Sequence, residues 1–519
     1  MATEFMRGAR RFRKDERGVA LVLFLVLILP LLFLIAVAID FSQFLVMKRQ
    51  LTGAVDAAAL NLGTLGSDLS DDQALADAQA FVLANFPAAS SIGTLGTVQV
   101  LRPDNNTTRV VATATMNTTF LKLMGYGTLN VTVSAESYRS YKYLELALVL
   151  DNTGSMAEYA GNDTKIDALK QASTTLINTL FGSSDTSQHV KIGLVPFTAA
   201  VNLGNASRPW WIDQQDSSPL NTENLNLPTA WGTPPPAQSP LFYLFDHLAN
   251  ASWQGCVRQR PEPYDVQDTP PDLSSPNTLF VPLLAPDEPD GFSNSYLADG
   301  TFPPNTPQQT IQRDTAKYNN GNVSGGTPNH YCPVQPLQTL TNDKTNILSA
   351  INAMTPGGNT VLPAGLMWGW HVISPNLPFA LGAAYDDATT LKVIVLVTDG
   401  QDSVSGGCCG FNASSYSAYG YAGAGGHLGT NLGSGGPESV LDQKFATLCS
   451  NIKADLGNGS NPIIIYTIAL GAGVGTQGAN LLQNCASDSS KYFNSPTSSD
   501  LITAFQTIAQ ELNQLRLSK

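Results

Sequence analysis

Two short apolar runs, residues 144–150 and 391–397, each lead into an aspartate-bearing loop, and the chain around them alternates between strand and helix patterning. That alternation constrains the fold more than any other feature. From Tyr143 the order is a strand at 144–150, a helix carrying Ile166, Leu169, Leu176, Ile177 and Leu180 at helical spacing, and a strand at 190–197. A helix at 342–354 shows Ile347, Leu348, Ile351 and Met354. A strand at 391–398, a helix at 439–456 and a strand at 463–470 follow, and a last helix carries Leu501, Ile502, Phe505, Ile508 and Leu512. The pattern predicts an α/β fold with a doubly wound, mainly parallel sheet and helices on both faces.

In such a sheet the loops after the strand carboxyl ends share one face, where ligands collect. Asp151, Thr153 and Ser155 lie in DNTGSM after the first run, Asp399 lies in TDG after the second, and Thr360 closes PGGNT ahead of a helical pattern. Residues 151, 153 and 155 alternate along a turn, so their side chains can face one pocket. Two carboxylates and three hydroxyls make an oxygen-only set suited to a hard divalent cation, Mg²⁺ first. DNTGSM alone could be a helix-capping loop, and TDG alone a turn. The three segments in order carry the reading. They resemble the metal-ion-dependent adhesion site of von Willebrand factor A domains: Asp-x-Ser-x-Ser, a distant Thr, then a distant Asp before Gly. Thr153 stands where serine is usual, with the hydroxyl kept. The resemblance implies that Thr153, Ser155 and Thr360 touch the metal and that Asp151 and Asp399 often act through water. It also implies that a partner's acidic side chain can take an open position.

The net charge of −13 argues against general nucleic-acid binding, and a charged content of 13% is low for a cytosolic protein. The N-terminus departs from this. Arg7, Arg10, Arg11, Arg13, Lys14 and Arg17 precede residues 18–39, a run of 22 without charge that is long enough to span a bilayer. The basic cluster predicts a cytoplasmic N-terminus with the rest of the chain outside. A cleaved signal peptide is the alternative, but the run is longer than a usual signal core and no clean small-x-small site precedes Asp40. Residues 40–86 continue as a helix, and 97–139 alternate as three or four strands. The expected organisation is a basic tail at 1–17, a transmembrane helix at 18–39, and a helical stalk with a small β unit at 40–142. An α/β domain at 143–519 follows, with inserts at about 203–340 and 403–437. The longer insert is too long for a structureless loop and must fold as an irregular lobe.

All six cysteines lie beyond the apolar run, and an even count outside the cytoplasm suits disulfides. Cys449 and Cys485 fall in helices flanking one strand and are the favoured pair. Cys256 with Cys332 would tie down the longer insert, while Cys408 and Cys409 are ambiguous. A zinc site has neither a CxxC pair nor a nearby histidine set. His189, His247, His330, His371 and His427 are scattered and read as structural. Trp210, Trp211, Trp231 and Trp253 read as the core of the insert's lobe.

The opening ERGVALVLFLVLILPLLFLIAVAIDFSQFLVMKRQLTGAVDAAALNLG resembles the membrane-anchored N-terminus of TadE/TadG-like proteins of the bacterial tight-adherence (Flp) pilus assembly machinery. The remainder, including WQGCVRQRPEPYDV and LFVPLLAPDEPD, resembles the von Willebrand factor A domain of TadG-like proteins. The resemblance implies a single-pass protein of the bacterial inner membrane with its bulk in the periplasm. Its partners would be pilus assembly components, and its output binding rather than catalysis. Two other readings compete. A phosphoryl-transfer hydrolase of the haloacid-dehalogenase type wants a second aspartate where Thr153 stands and a lysine at the sheet's end, where TDG has none. A purely structural periplasmic stalk would carry a vestigial metal site.

Overall fold

The computed structural model describes residues 16–65, 69–87, 92–104, 107–138, 142–226, 240–404, 406–407, 409–422, 428–429, 435–454 and 462–517. The Arg-rich tail through residue 15, Trp231, Cys408 and His427 lie outside the described residues. Two compact units divide the chain at residues 140 and 141.

The first unit holds helix α1 (Glu16–Leu65), helix α2 (Asp71–Asn85) and an antiparallel sheet β1 (Thr94–Asp104), β2 (Thr107–Asn117), β3 (Thr128–Tyr138). The helix expected over 40–86 is two helices. Ser70 accepts the Gln73 amide while the Gln73 side chain accepts the Ser70 amide, a capping box that starts α2 afresh. Met47, Leu51, Val55 and Leu62 of α1 pack with Val82 of α2 and with Val110, Met116 and Val133 of the strands. From Val22 on, the described side chains of α1's apolar run are mostly open: Leu29 and Leu34 are 68% and 64% exposed. Among the described residues this is one helix long and apolar enough to cross a membrane.

The second unit is built on a mixed nine-stranded sheet. Its strands are β4 (Tyr143–Asp151), β5 (Val190–Phe197), β6 (Val201–Asn202), β7 (Cys256–Arg258), β8 (Val281–Pro282), β9 (Gln338–Thr341), β10 (Thr390–Thr398), β13 (Ile464–Leu470) and β14 (Tyr492–Ser495). A separate two-residue hairpin, β11 (Tyr416–Ser417) with β12 (Gly420–Tyr421), lies between β10 and β13. The order is β14-β13-β10-β4-β5-β6-β7-β8, with β9 on β5. Strands β14 through β5 run parallel, and the β5–β6, β6–β7, β7–β8 and β5–β9 pairs are antiparallel. The helices are α3 (Lys165–Phe181), α4 (Pro240–His247), α5 (Gln308–Arg313), α6 (Lys344–Asn352), α7 (Leu362–Ile373), α8 (Gly436–Lys453), α9 (Gly475–Cys485) and α10 (Ser498–Leu517).

Alternate residues of each central strand feed two cores. Leu146, Leu148 and Leu150 pack with Leu169 of α3, Ile351 of α6 and Phe505 of α10. Val149, Phe197 and Ile394 face the other way, against Leu366 of α7, Leu448 of α8 and Leu482 of α9. Helices therefore cover both faces. The lobe at 203–340 is not a separate body. Its strands β7 and β8 extend the main sheet, and Trp211, Trp253, Phe242 and Phe280 join the same core as Val149. Trp210 departs from the core reading and is 46% exposed. Disulfides join Cys256 to Cys332 and Cys449 to Cys485. The second links α8 to α9 across the start of β13.

Candidate metal site

Leu150 of β4 lies level with Val397 of β10, so Asp151 and Asp399 leave neighbouring parallel strands at almost the same height. Both are buried, at 0% and 2% exposure. Asp151 Oδ1 accepts the Thr153 amide at 2.8 Å, and Oδ2 accepts the Thr398 hydroxyl at 2.7 Å. The first bond turns the chain back, so Thr153 and Ser155 face the same side and their hydroxyl oxygens lie 3.1 Å apart. Ser155 Oγ then donates to Asp399 Oδ1 at 2.8 Å.

Thr360 arrives from the loop before α7. Its amide donates to Ser403 Oγ at 2.8 Å, and its carbonyl accepts the Ser403 amide at 3.0 Å. A Cβ placed on Gly400 would lie 4.0 Å from Thr360 Oγ1, which sets that hydroxyl beside the Asp399 turn. Gly358, at φ +79°, lets the loop pass close: its carbonyl accepts the Gly154 amide at 2.9 Å, and a Cβ there would fall 2.9 Å from Tyr331 Cβ. Asp402 Oδ1 accepts the amide of Leu362, the first residue of α7, at 2.7 Å, and its burial pushes the carboxyl well above the usual range.

Lys165, the first residue of α3, is the participant that motif reading missed. Its Nζ lies 2.8 Å from Asp399 Oδ2 and 2.8 Å from Glu158 Oε2. Burial alone would pull this ammonium down, but hydrogen bonds to Asp399 and Glu158 hold it above its ordinary value. A signal was present: Lys165 occupies the first place of the buried stripe Ala168, Leu169, Ala172, Leu176.

The residues fit a hard divalent cation. Their donors are hydroxyl and carboxylate oxygens at the mouth of adjacent strands. Burial first, and the Asp399 charge second, push the Asp151 carboxyl up to about 7. Asp151 and Asp399 are both buried, and the Lys165 ammonium pairs with Asp399 and Glu158, so the Asp151 charge has no cation paired with it among the described residues.

No curated protein matches the chain. Among solved structures, it resembles the pilus adhesin SpaC from Lactobacillus rhamnosus GG at 9% identity, covering 81% of this chain and 34% of the adhesin, with a TM-score of 0.34. The von Willebrand factor domain of the type V pili tip protein Mfa5 from Porphyromonas gingivalis matches at 11% identity over 73% of this chain and 98% of its own, with a TM-score of 0.35. Proximal thread matrix protein 1 from the mussel byssus, with a zinc-occupied MIDAS motif, matches at 11% identity over 72% and 46%, with a TM-score of 0.28. Residues 18–60, most of α1, match the Tad family model, described as "Putative Flp pilus-assembly TadE/G-like".

Proposed function

We propose that this chain is an inner-membrane-anchored periplasmic protein of Flp pilus assembly. It binds a partner protein through a divalent cation, Mg²⁺ first, at Asp151, Thr153, Ser155, Thr360 and Asp399. In this reading the second unit is a doubly wound sheet of the von Willebrand factor A kind. The observation that carries it is the convergence of Asp151, Thr153, Ser155 and Asp399 in one hydrogen-bonded cluster, with the Thr360 hydroxyl beside it. The TadE/G-like match at 18–60 supports the pilus and membrane context.

When bound, the cation supplies a positive centre that accepts an acidic group from a partner. The chain's own residues do the rest. Thr153, Ser155 and Thr360 would hold the ion by their hydroxyls. Asp151 is kept in place by Thr398 and the Thr153 amide, and Asp399 by Ser155 and Lys165. Both oxygens of each carboxylate are engaged, which favours holding an ion over nucleophilic attack.

Calorimetry on the full chain in detergent tests this. Wild type should take up Mg²⁺ at one site. Asp151→Ala should lower the affinity about 10–100-fold, the usual effect of losing a partner that acts on a metal through other groups. Equal uptake by both would mean the site is misassigned. If Asp151→Ala loses the cation and pili still assemble normally, the metal site stands and the adhesion mechanism is wrong.

A further inference from the structure

We propose that the β2–β3 connection, residues 118–127, is a second membrane contact: an interfacial loop that dips into the same bilayer that α1 crosses. Asp40 is the first residue after the charge-free run and is 0% exposed. Its carboxylate accepts three backbone amides, from Thr119 at 3.0 Å and from Phe120 and Leu121 at 2.7 Å each. The loop is thereby held at the height where α1 leaves its apolar run.

The direction of the hairpin follows from two close approaches. A Cβ on Gly63 of α1 would fall 2.8 Å from Ser137 Oγ of β3. Met47 of α1 and Thr115 of β2 both crowd Gly93, with Met47 Sδ 2.5 Å and Thr115 O 2.9 Å from where its Cβ would be. Moving down α1 from Gly63 through Met47 to Asp40 therefore moves down the hairpin from Ser137 through Thr115 to Thr119. The tip points along α1 toward residues 18–39.

The tip carries the side chains such a place requires. Its backbone is closed on itself: the Thr118 amide donates to Gly127 O at 3.1 Å, and the Tyr126 amide to Leu121 O at 3.2 Å. The side chains are left outside, with Leu123 82% exposed, Tyr126 62% and Met124 53%. Those exposures match the unpartnered face of α1 itself, where Leu29 is 68% exposed. The only charge in 118–127 is Lys122. In water, clustered Leu, Met and Tyr side chains are a liability. At a bilayer surface Leu123 and Met124 enter the acyl boundary, the Tyr126 hydroxyl stays at the headgroup level, and Lys122 reaches the phosphates. The occupant is the bilayer of α1 because the loop is continuous with that span through Asp40.

The test uses the full chain in lipid nanodiscs at one copy per disc, with a spin label at Leu123→Cys. Power saturation then compares oxygen with a water-soluble nickel chelate. Labels at Ile35→Cys in the span and Leu60→Cys, twenty residues past Asp40 on α1, calibrate lipid and water. The label at 123 should favour oxygen over nickel several-fold more than the label at 60 does. A reading equal to that at 60 places the loop in water and overturns the proposal. Exclusion of both reagents would mean that protein covers the loop, and would overturn it as well.

Discussion

Lys392→Met is expected to destabilise the second unit by about 3–5 kcal/mol, the usual cost of removing one partner of a buried ion pair. Lys392 Nζ lies 2.6 Å from Glu145 Oε2 and 2.7 Å from Ile373 O, and both side chains are almost wholly buried, at 3% and 5% exposure. Burial pushes the Lys392 ammonium below its ordinary value, against the opposing pull of Glu145. The two residues sit on neighbouring strands, where Lys392 of β10 pairs directly with Glu145 of β4. Methionine fills the space but leaves the Glu145 carboxylate, among the described residues, with only the Ala383 amide. Urea unfolding followed by tryptophan emission reads this unit alone, because all six tryptophans lie beyond residue 140. The midpoint should fall by about 1 M or more. The double variant Lys392→Met/Glu145→Leu should recover most of the loss, because an apolar pair of similar volume leaves no buried charge. A single variant with an unchanged midpoint would show that water reaches the pair.

Removing the Cys256–Cys332 disulfide, as Cys256→Ala/Cys332→Ala, is expected to cost about 4.5 kcal/mol, the chain-entropy value for a loop closed over a separation of 76 residues. Cys256 is fully buried beside Leu283 and Tyr419, so the bridge anchors the lobe to the sheet's own core. The loss should also reach the candidate metal site. Tyr331 precedes Cys332, its carbonyl accepts the Thr198 hydroxyl at 2.5 Å, and its side chain lies against Gly358. Gly358 in turn holds the Gly154 amide within DNTGSM. The same urea series measures the stability term. Limited proteolysis should show new cuts within 203–340. A variant as stable and as protease-resistant as wild type would contradict the anchoring role.

The sequence shows the central strands well, and the reason is physical. β4, β10 and β13 are buried nearly end to end, so they read as continuous apolar runs. The Cys449–Cys485 pair was legible because its two helices flank one strand. The lobe was not. Its strands β7 and β8 are three and two residues long, and its core is assembled from Trp211, Phe242, Trp253 and Phe280, which share no period. The motif residues Asp151, Thr153, Ser155, Thr360 and Asp399 stood out because each sits at a strand end or before a helix. Lys165 did not, because a lysine at a helix start usually points to solvent, and only the fold turns it onto Asp399. Asp40 was hidden for the same reason: its three amide partners come from a loop about eighty residues away.

In the proposed reading a divalent cation sits among Asp151, Thr153, Ser155, Thr360 and Asp399. The most direct test is anomalous diffraction from crystals of the full chain grown with Mn²⁺, a scatterer that accepts the same oxygen ligands. One strong anomalous peak is expected, flanked by the hydroxyls of Thr153, Ser155 and Thr360 and absent from crystals of Asp151→Ala. A saturating Mn²⁺ experiment with no peak there, or with the ion bound elsewhere, would overturn that reading.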